Sequence, residues 1–263
     1  MRILGVPVST LDLSACASLI MRWARDEARA EGPRTICATS VHGLIEGWRD
    51  PAFRAVLNDA ALITPDGMPL VWVGWLRGRS GMSRVYGPDL MLEICRLSAG
   101  TGVRHFFYGG APGIAERLAD RLVVRFPGLS VAGWYSPPFR ELTPTELEEV
   151  VARVNGASPD VVWAGLGTPR QERWAGAVRA RLRAKVVATV GAAFDFHAGR
   201  LRQAPRLLQR AGLEWAYRLA QEPGRLWRRY LRNNPLFVIL AGAELLGVTR
   251  FASADRTERR PLT

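Results

Sequence analysis

Short apolar runs that close on Gly, Thr or Asp, alternating with amphipathic helical stretches, constrain this chain more than any other feature. From residue 103 the rhythm is regular. Apolar runs over 103–108, 129–134, 160–166 and 186–190 are separated by helical patterns to Phe126, over 143–155 and over 169–182. Thr143 with Glu146 three residues on matches a capping box, and Pro169 suits a first helical turn. Upstream, the pattern predicts a strand over 3–8, a helix over 11–30 capped by Thr10 or Asp12, and a strand over 35–39. Helix over 43–59, a strand end at 61–63, and helices over 70–76 and 89–99 follow. Strand–helix alternation of this kind predicts an α/β fold, a Rossmann-like parallel sheet with helices on both faces. Past Gly199 no strand signal follows, so residues 1–199 read as the core, 200–250 as a helical appendage and 251–263 as a disordered tail.

Open parallel sheets bind ligands beyond the C-terminal ends of their strands, so the polar residues there are the first candidates. In Thr64-Pro65-Asp66-Gly67, Asp66 is a carboxylate just past a strand. A turn former or helix N-cap is the competing reading. Gly109-Gly110-Ala111-Pro112-Gly113 could let backbone amides approach a phosphate, or could simply be a tight strand-to-helix turn. Gly165 and Gly167, followed by Gln171 and Glu172, offer amides and side chains to one ligand, with ordinary first-turn helix residues as the alternative for Gln171 and Glu172. Asp195, between Phe194 and Phe196, suits a ribose or sugar hydroxyl, with a structural cap as the alternative. His42 and His197 have no partners at metal-ligand spacing and read as solvated or packed histidines.

The formal net charge of +12 points to an anionic partner, although 35 of the 36 basic residues are Arg, with Lys185 alone. Nine arginines lie within 200–232, interleaved with Trp215, Tyr217, Trp227 and Tyr230. Arg218, Arg225 and Arg228 are spaced to share one helix face. There is no Asp-x-Asp pair to hold a metal on a diphosphate, so arginine forks would have to carry that charge. Cys16, Cys37 and Cys95 are scattered and read as reduced, buried thiols of a cytosolic protein. No run reaches the roughly 18 apolar residues of a spanning helix. The apolar stretch 235–248 is shorter and suits peripheral contact with an anionic membrane.

Taken together, these motifs resemble the WecG/TagA/CpsF family, glycosyltransferase family 26, over about residues 3–235. The likeness rests on Thr39, Pro65-Asp66-Gly67, Arg84 with Gly87-x-Asp89-Leu90, Tyr108-Gly109-Gly110 and Gly165-x-Gly167-x-Pro169-x-Gln171-Glu172. It continues through Gly191-x-x-Phe194-Asp195-x-x-Ala198-Gly199, Ala204-Pro205, Gly212-Leu213-Glu214-Trp215, Arg218, Glu222-Pro223 and Arg225. The resemblance implies an inverting, metal-independent transfer of a sugar from a UDP-sugar to a polyprenyl-diphosphate-linked sugar, without a cofactor, on the inner membrane face. It also implies that Asp66 is the general base, that Thr39, Arg84 and Gln171 line its pocket, and that Arg218, Arg225 and Arg228 close over the leaving diphosphate. The family often carries Asn two residues after the threonine, where this chain has Val41 and then His42. Two rivals are a basic nucleic-acid-binding protein, which lacks a recognised motif, and a catalytically silent nucleotide-sugar binder. Monomer or homo-oligomer is left open.

Overall fold

The computed structural model describes residues 1–26, 32–249 and 251. The chain opens on β1 (Arg2–Ile3) and β2 (Val6–Pro7), an antiparallel hairpin where one strand over 3–8 was expected. Leu4 and Gly5 turn the chain with φ of 49° and 79°, which a continuous strand cannot accommodate. Helix α1 (Leu13–Arg25) is capped by Asp12, which accepts from the Ala15 amide at 2.8 Å. The expected continuation over 27–30 lies outside the described residues, as does the tail from 252 to 263.

After β3 (Arg34–Thr39), the helix expected over 43–59 is two helices, α2 (Val41–Arg49) and α3 (Pro51–Asp59). Pro51 forces the break, because it lacks an N–H and excludes helical geometry at Asp50. Asp50 then caps α3 by accepting from the Ala52 amide at 2.9 Å. The chain continues through β4 (Leu62–Pro65), α4 (Met68–Leu76), α5 (Gly87–Ser98), β5 (Arg104–Gly109), α6 (Ile114–Arg125) and β6 (Ser130–Tyr135). Next come α7 (Pro144–Ala157), with the expected capping box, β7 (Val161–Gly165), α8 (Arg170–Val178), β8 (Val186–Thr189) and α9 (Ala193–His197).

Strands β3 to β8 form one parallel sheet in the order β4-β3-β8-β7-β5-β6. The two-residue side-chain period sends Ile36, Phe107 and Ala188 to a core shared with α1, α5, α6 and α9. Cys37 faces the other way, under α2, α3 and α4, while Phe106 and Val187 pack beneath α7 and α8. Burial on both faces is why the strands read as unbroken apolar runs. From β5 the chain moves outward to β6, and from β7 it moves the opposite way to β8. The direction of winding therefore reverses between those neighbours, at Gly109 and Gly165, the position where open α/β sheets bind ligands.

The remaining chain forms α10 (Arg206–Arg210), α11 (Glu214–Gln221) and α12 (Pro223–Leu245). Phe237 and Ala241 of α12 are buried in the cluster that also holds the hairpin and α2. Glu244 accepts from the Leu4 amide at 3.1 Å and pairs with Arg77 at 2.8 Å. Among the described residues, no helix is long and apolar enough to cross a membrane.

One core histidine makes stability pH-dependent. His105 is fully buried on β5, where its Nδ1 accepts from the Trp163 indole at 3.0 Å and its Nε2 meets Ser98 Oγ at 2.8 Å. Burial lowers its pKa to about 4, and burial likewise lowers His42 to about 4. The folded state thus binds fewer protons than the unfolded chain between about pH 4 and the ordinary histidine value of 6.5. Stability is complete above that window and lost as pH falls through it, at about 1.4 kcal/mol per pH unit for each histidine. The raised pKa of Asp66 opposes part of this loss. Urea unfolding should show a lower midpoint at pH 5 than at pH 7, and an unchanged or higher midpoint would refute the neutral assignment.

Candidate active site

The site begins where β4 ends. The Asp66 amide donates to the Thr39 carbonyl at 3.0 Å, which ties the first loop residue after β4 to the end of β3. Gly67, not Asp66, is the N-cap of α4, which leaves the carboxylate free of that duty. Its Oδ1 instead accepts the Gly87 amide at 2.7 Å, from the start of α5. Glycine suits this position, because a Cβ would sit 3.2 Å from both Ala38 Cβ and the Val190 carbonyl, closer than ordinary contact. Asp66 Oδ2 has no protein hydrogen-bond partner among the described residues, so one carboxylate oxygen is available to substrate.

Arg84 braces this loop. Its Nε donates to the Asp66 carbonyl at 2.5 Å, and its guanidinium lies 3.8 Å over the Tyr86 ring. The other end of the guanidinium forms an ion pair with Glu214 of α11. The second oxygen of Glu214 accepts from the Tyr86 hydroxyl at 2.5 Å. Arg84 therefore salt-bridges Glu214, and its hydrogen bond to Asp66 is to the backbone carbonyl. Burial pushes the Asp66 carboxyl up to about 6, the nearby charge of Glu214 adds to it, and Arg84, the Gly87 amide and Arg218 pull the other way. A carboxylate so placed is largely ionised at neutral pH and still basic enough to accept a proton.

Thr39 is buried at 2% exposure, with its methyl against Gly43, so it serves Asp66 through its carbonyl. Gln171 and Glu172 are each 1% exposed. Gln171 Oε1 accepts from the amides of Gly167 at 3.2 Å and Gly191 at 3.0 Å, and its Nε2 donates to Glu172 at 2.9 Å. Thr168 also donates to Glu172, at 2.9 Å. These two side chains clasp the loops after β7 and β8, and the Gly167 amide is spent on that clasp. Gly109 and Gly165 are register partners across β5 and β7. A Cβ on Gly109, whose φ is 134°, would lie 2.5 Å from the Gly165 carbonyl, so these glycines let the two strand ends approach beneath Phe194. The Gly110 amide is likewise used, donating to Gly165 O at 3.0 Å. Asp195 pairs with Arg200 at 3.1 Å.

The arginine arrangement departs from the sequence expectation. Arg218 lies on α11, whereas Arg225 and Arg228 lie on α12, so the three do not share one helix face. Pro223 breaks the helix by holding Glu222 at φ −134° and ψ 58°. Arg218 comes close enough to Asp66 and Glu214 to feel both charges, stands 5.7 Å over Phe196, and keeps a buried Nε without a partner. Arg225 pairs with Glu222, and Arg228 lies 5.2 Å over Trp227. Arg229, which the sequence did not single out, has its pKa lowered by burial and by Arg218 and Arg225. Arg218 and Arg225 thus both lie within electrostatic range of Arg229, a cationic cluster tempered by Glu46, Tyr230 and the Arg225–Glu222 pair. Residue-by-residue reading misses this because Arg229 stands out only once α12 folds back on α11.

At the position where the family often has Asn, Val41 is a core residue, 8% exposed. His42 takes the polar role there, with its Nδ1 2.8 Å from Asn233 Nδ2 of α12, and Asn233 Oδ1 accepts from Arg49 at 2.8 Å. Among the described residues, no group of three or more His, Cys, Asp or Glu side chains could hold a metal ion.

A carboxylate at the end of β4 and an arginine of α11 close enough to feel its charge are brought together here by the tertiary fold. Residues 1–250 match the glycosyl transferase WecG/TagA/CpsF family. The chain belongs to that family. It is similar to three proteins named N-acetylglucosaminyldiphosphoundecaprenol N-acetyl-beta-D-mannosaminyltransferase. The one from Bacillus spizizenii (strain ATCC 23059 / NRRL B-14472 / W23) is 34% identical over 71% of this chain and 70% of its own length. That from Bacillus subtilis (strain 168) is 28% identical over 70% and 69%, and that from Staphylococcus aureus (strain MRSA252) 27% over 71% of both. A family member with this architecture is a glycosyltransferase, of the hexosyl-transferring kind these relatives are named for.

Proposed function

We propose that the chain transfers a hexosamine from a UDP-sugar to a sugar carried on a polyprenyl diphosphate, with inversion and without a metal. The acceptor class is that named for the relatives, and the reading extends to cell-envelope glycan synthesis of the teichoic-acid type. The observation that carries the reading is Asp66, a carboxylate with one free oxygen and a pKa raised to about 6, within reach of the charges of Arg84 and Arg218. In the reaction, the acceptor hydroxyl oxygen attacks the anomeric carbon while its proton passes to Asp66. The bond from that carbon to the donor phosphate breaks, and UDP leaves with the electron pair. Arg218, Arg225 and Arg229 offset the charge that builds on the diphosphate, a role for which a base alone does not suffice. Arg228 is exposed beside Trp227 and would join them only by reaching a bound diphosphate. The chain works from the inner face of the membrane, seated on anionic lipid through its basic, apolar C-terminal helices.

The test is a panel of UDP-sugars offered with a lipid-diphosphate-linked N-acetylglucosamine, read by UDP release and by product mass. Transfer with at least one donor, undiminished by EDTA, is expected. Loss on chelation with recovery on Mg²⁺ or Mn²⁺ would overturn the arginine-only account. Binding of UDP-sugars without turnover on any such acceptor would favour a silent binder, and salt-sensitive retention on DNA a nucleic-acid partner.

A further inference from the structure

Helix α4 presents an anomaly. Its nine residues, from Met68 to Leu76, carry no charge, which is the composition of a helix buried on all sides. Yet only Leu70, Val71, Val73 and Gly74 are buried, while Trp72, Trp75 and Leu76 are 40%, 47% and 74% exposed. Those three sit at i, i+3 and i+4 and make one outward face. Both indoles are held in place. Trp75 donates its ring N–H to the Met82 carbonyl at 2.8 Å, and the Trp72 ring packs so tightly on Gly212 that a Cβ there would lie 2.5 Å from it. The next residues of that turn, Leu213 and Trp215, are 44% and 40% exposed and extend the apolar surface.

We propose that this face of α4 inserts into the interface of an anionic bilayer and sets Asp66 at the depth of the lipid headgroups. The proposal deepens the function given above and rests on it for the purpose of that depth. Indoles with one satisfied N–H and a wet ring suit the membrane–water boundary. The surrounding charges are cationic: Arg79, whose backbone closes the end of α4, and Arg206 and Arg210 on α10, which leads into Gly212, are all exposed. A second copy meeting this face about a twofold axis would set those arginines against their own kind, whereas anionic lipid neutralises them. The single nearby acid on α12, Glu244, is already paired with Arg77. Because α4 starts two residues after Asp66 and is roughly 13 Å long at about 1.5 Å per residue, seating its outer face carries the candidate base to the level where a lipid diphosphate emerges.

The three native cysteines are buried, so a single introduced thiol can be labelled selectively. Full-length Leu76→Cys carrying an environment-sensitive fluorophore is mixed with phosphatidylglycerol/phosphatidylcholine vesicles, with Val124→Cys on α6, 82% exposed, as the control. Emission from position 76 should rise severalfold, shift to the blue and be quenched by brominated lipid, while position 124 does not respond. A water-exposed signal at position 76 on vesicle-bound protein overturns the proposal. So does a signal that rises with protein concentration in the absence of lipid, which would make a second copy the occupant. Leu76→Glu should lower transfer to a full-length lipid acceptor in vesicles about tenfold, the worth of one buried leucine at the interface. Transfer to a short-chain, water-soluble acceptor should be unchanged, and equal loss on both acceptors also overturns the proposal. If the wild type transfers to neither acceptor, the assigned reaction fails while the fluorescence result still decides the membrane face.

Discussion

Asp66→Asn is expected to lower turnover at least about a hundredfold while folding and UDP-sugar affinity stay near wild type, as loss of a general base requires. The amide preserves the shape of the side chain and can keep an oxygen on the Gly87 amide, so the loop after β4 should hold. What disappears is the proton acceptor. The same assignment dictates the acid side of the pH profile. The base must be ionised, so kcat/KM should fall as pH drops through about 6, the value to which burial raises this carboxyl. A variant that keeps more than about half the rate, with chemistry limiting, would remove Asp66 from the role. A flat profile between pH 5 and 7 would do the same.

The second large effect is expected at Glu214, which no catalytic role requires. Its carboxylate takes both the Arg84 guanidinium and the Tyr86 hydroxyl, and the Arg84 and Glu214 side chains are only 14% and 12% exposed. Glu214→Ala strands an enclosed cation and a buried phenol, at a cost of about 3–5 kcal/mol for breaking a buried pair. Thermal unfolding should drop by about 10 °C. Glu222→Ala breaks a more open pair with Arg225, which is 52% exposed, and should cost under about 1 kcal/mol. Similar losses for the two variants would mean that the Arg84–Glu214 pair does not hold α11 on the core. Glu214→Gln adds a signature that stability alone would not move. Glu214's charge is one of the influences holding the Asp66 pKa up, so its removal should shift the acid limb of the profile to lower pH.

Much of this protein could be read from local pattern. Apolar runs of strand length, closed by Gly or Asp and separated by capped helical stretches, identify a parallel sheet because strands buried on both faces have no polar side to display. Apolar pattern placed Asp66 and the Gly clusters at strand ends, and the family resemblance pointed to Thr39, Arg84 and Gln171 as its companions, without any coordinates. Two misread boundaries carried their own signals: Asp50-Pro51 marks a helix restart, and Gly5 a turn. Pro223 likewise announces that Arg218 cannot share a helix with Arg225.

What no local pattern contains is who meets whom. Asp66 escapes duty as an N-cap only because Gly87, twenty-one residues on, brings it an amide. Arg84 finds its counter-ion 130 residues away on α11, and Arg229 joins the cationic cluster only when α12 folds back. Strand order decides that the winding reverses between β5 and β7, since residues adjacent in the sheet are separated in the chain by whole helices. Periodicity and turn chemistry act over a few residues and so are written in the sequence. Ion pairing, desolvation and the pKa of Asp66 depend on distances between distant segments, and only the packed tertiary structure sets those distances.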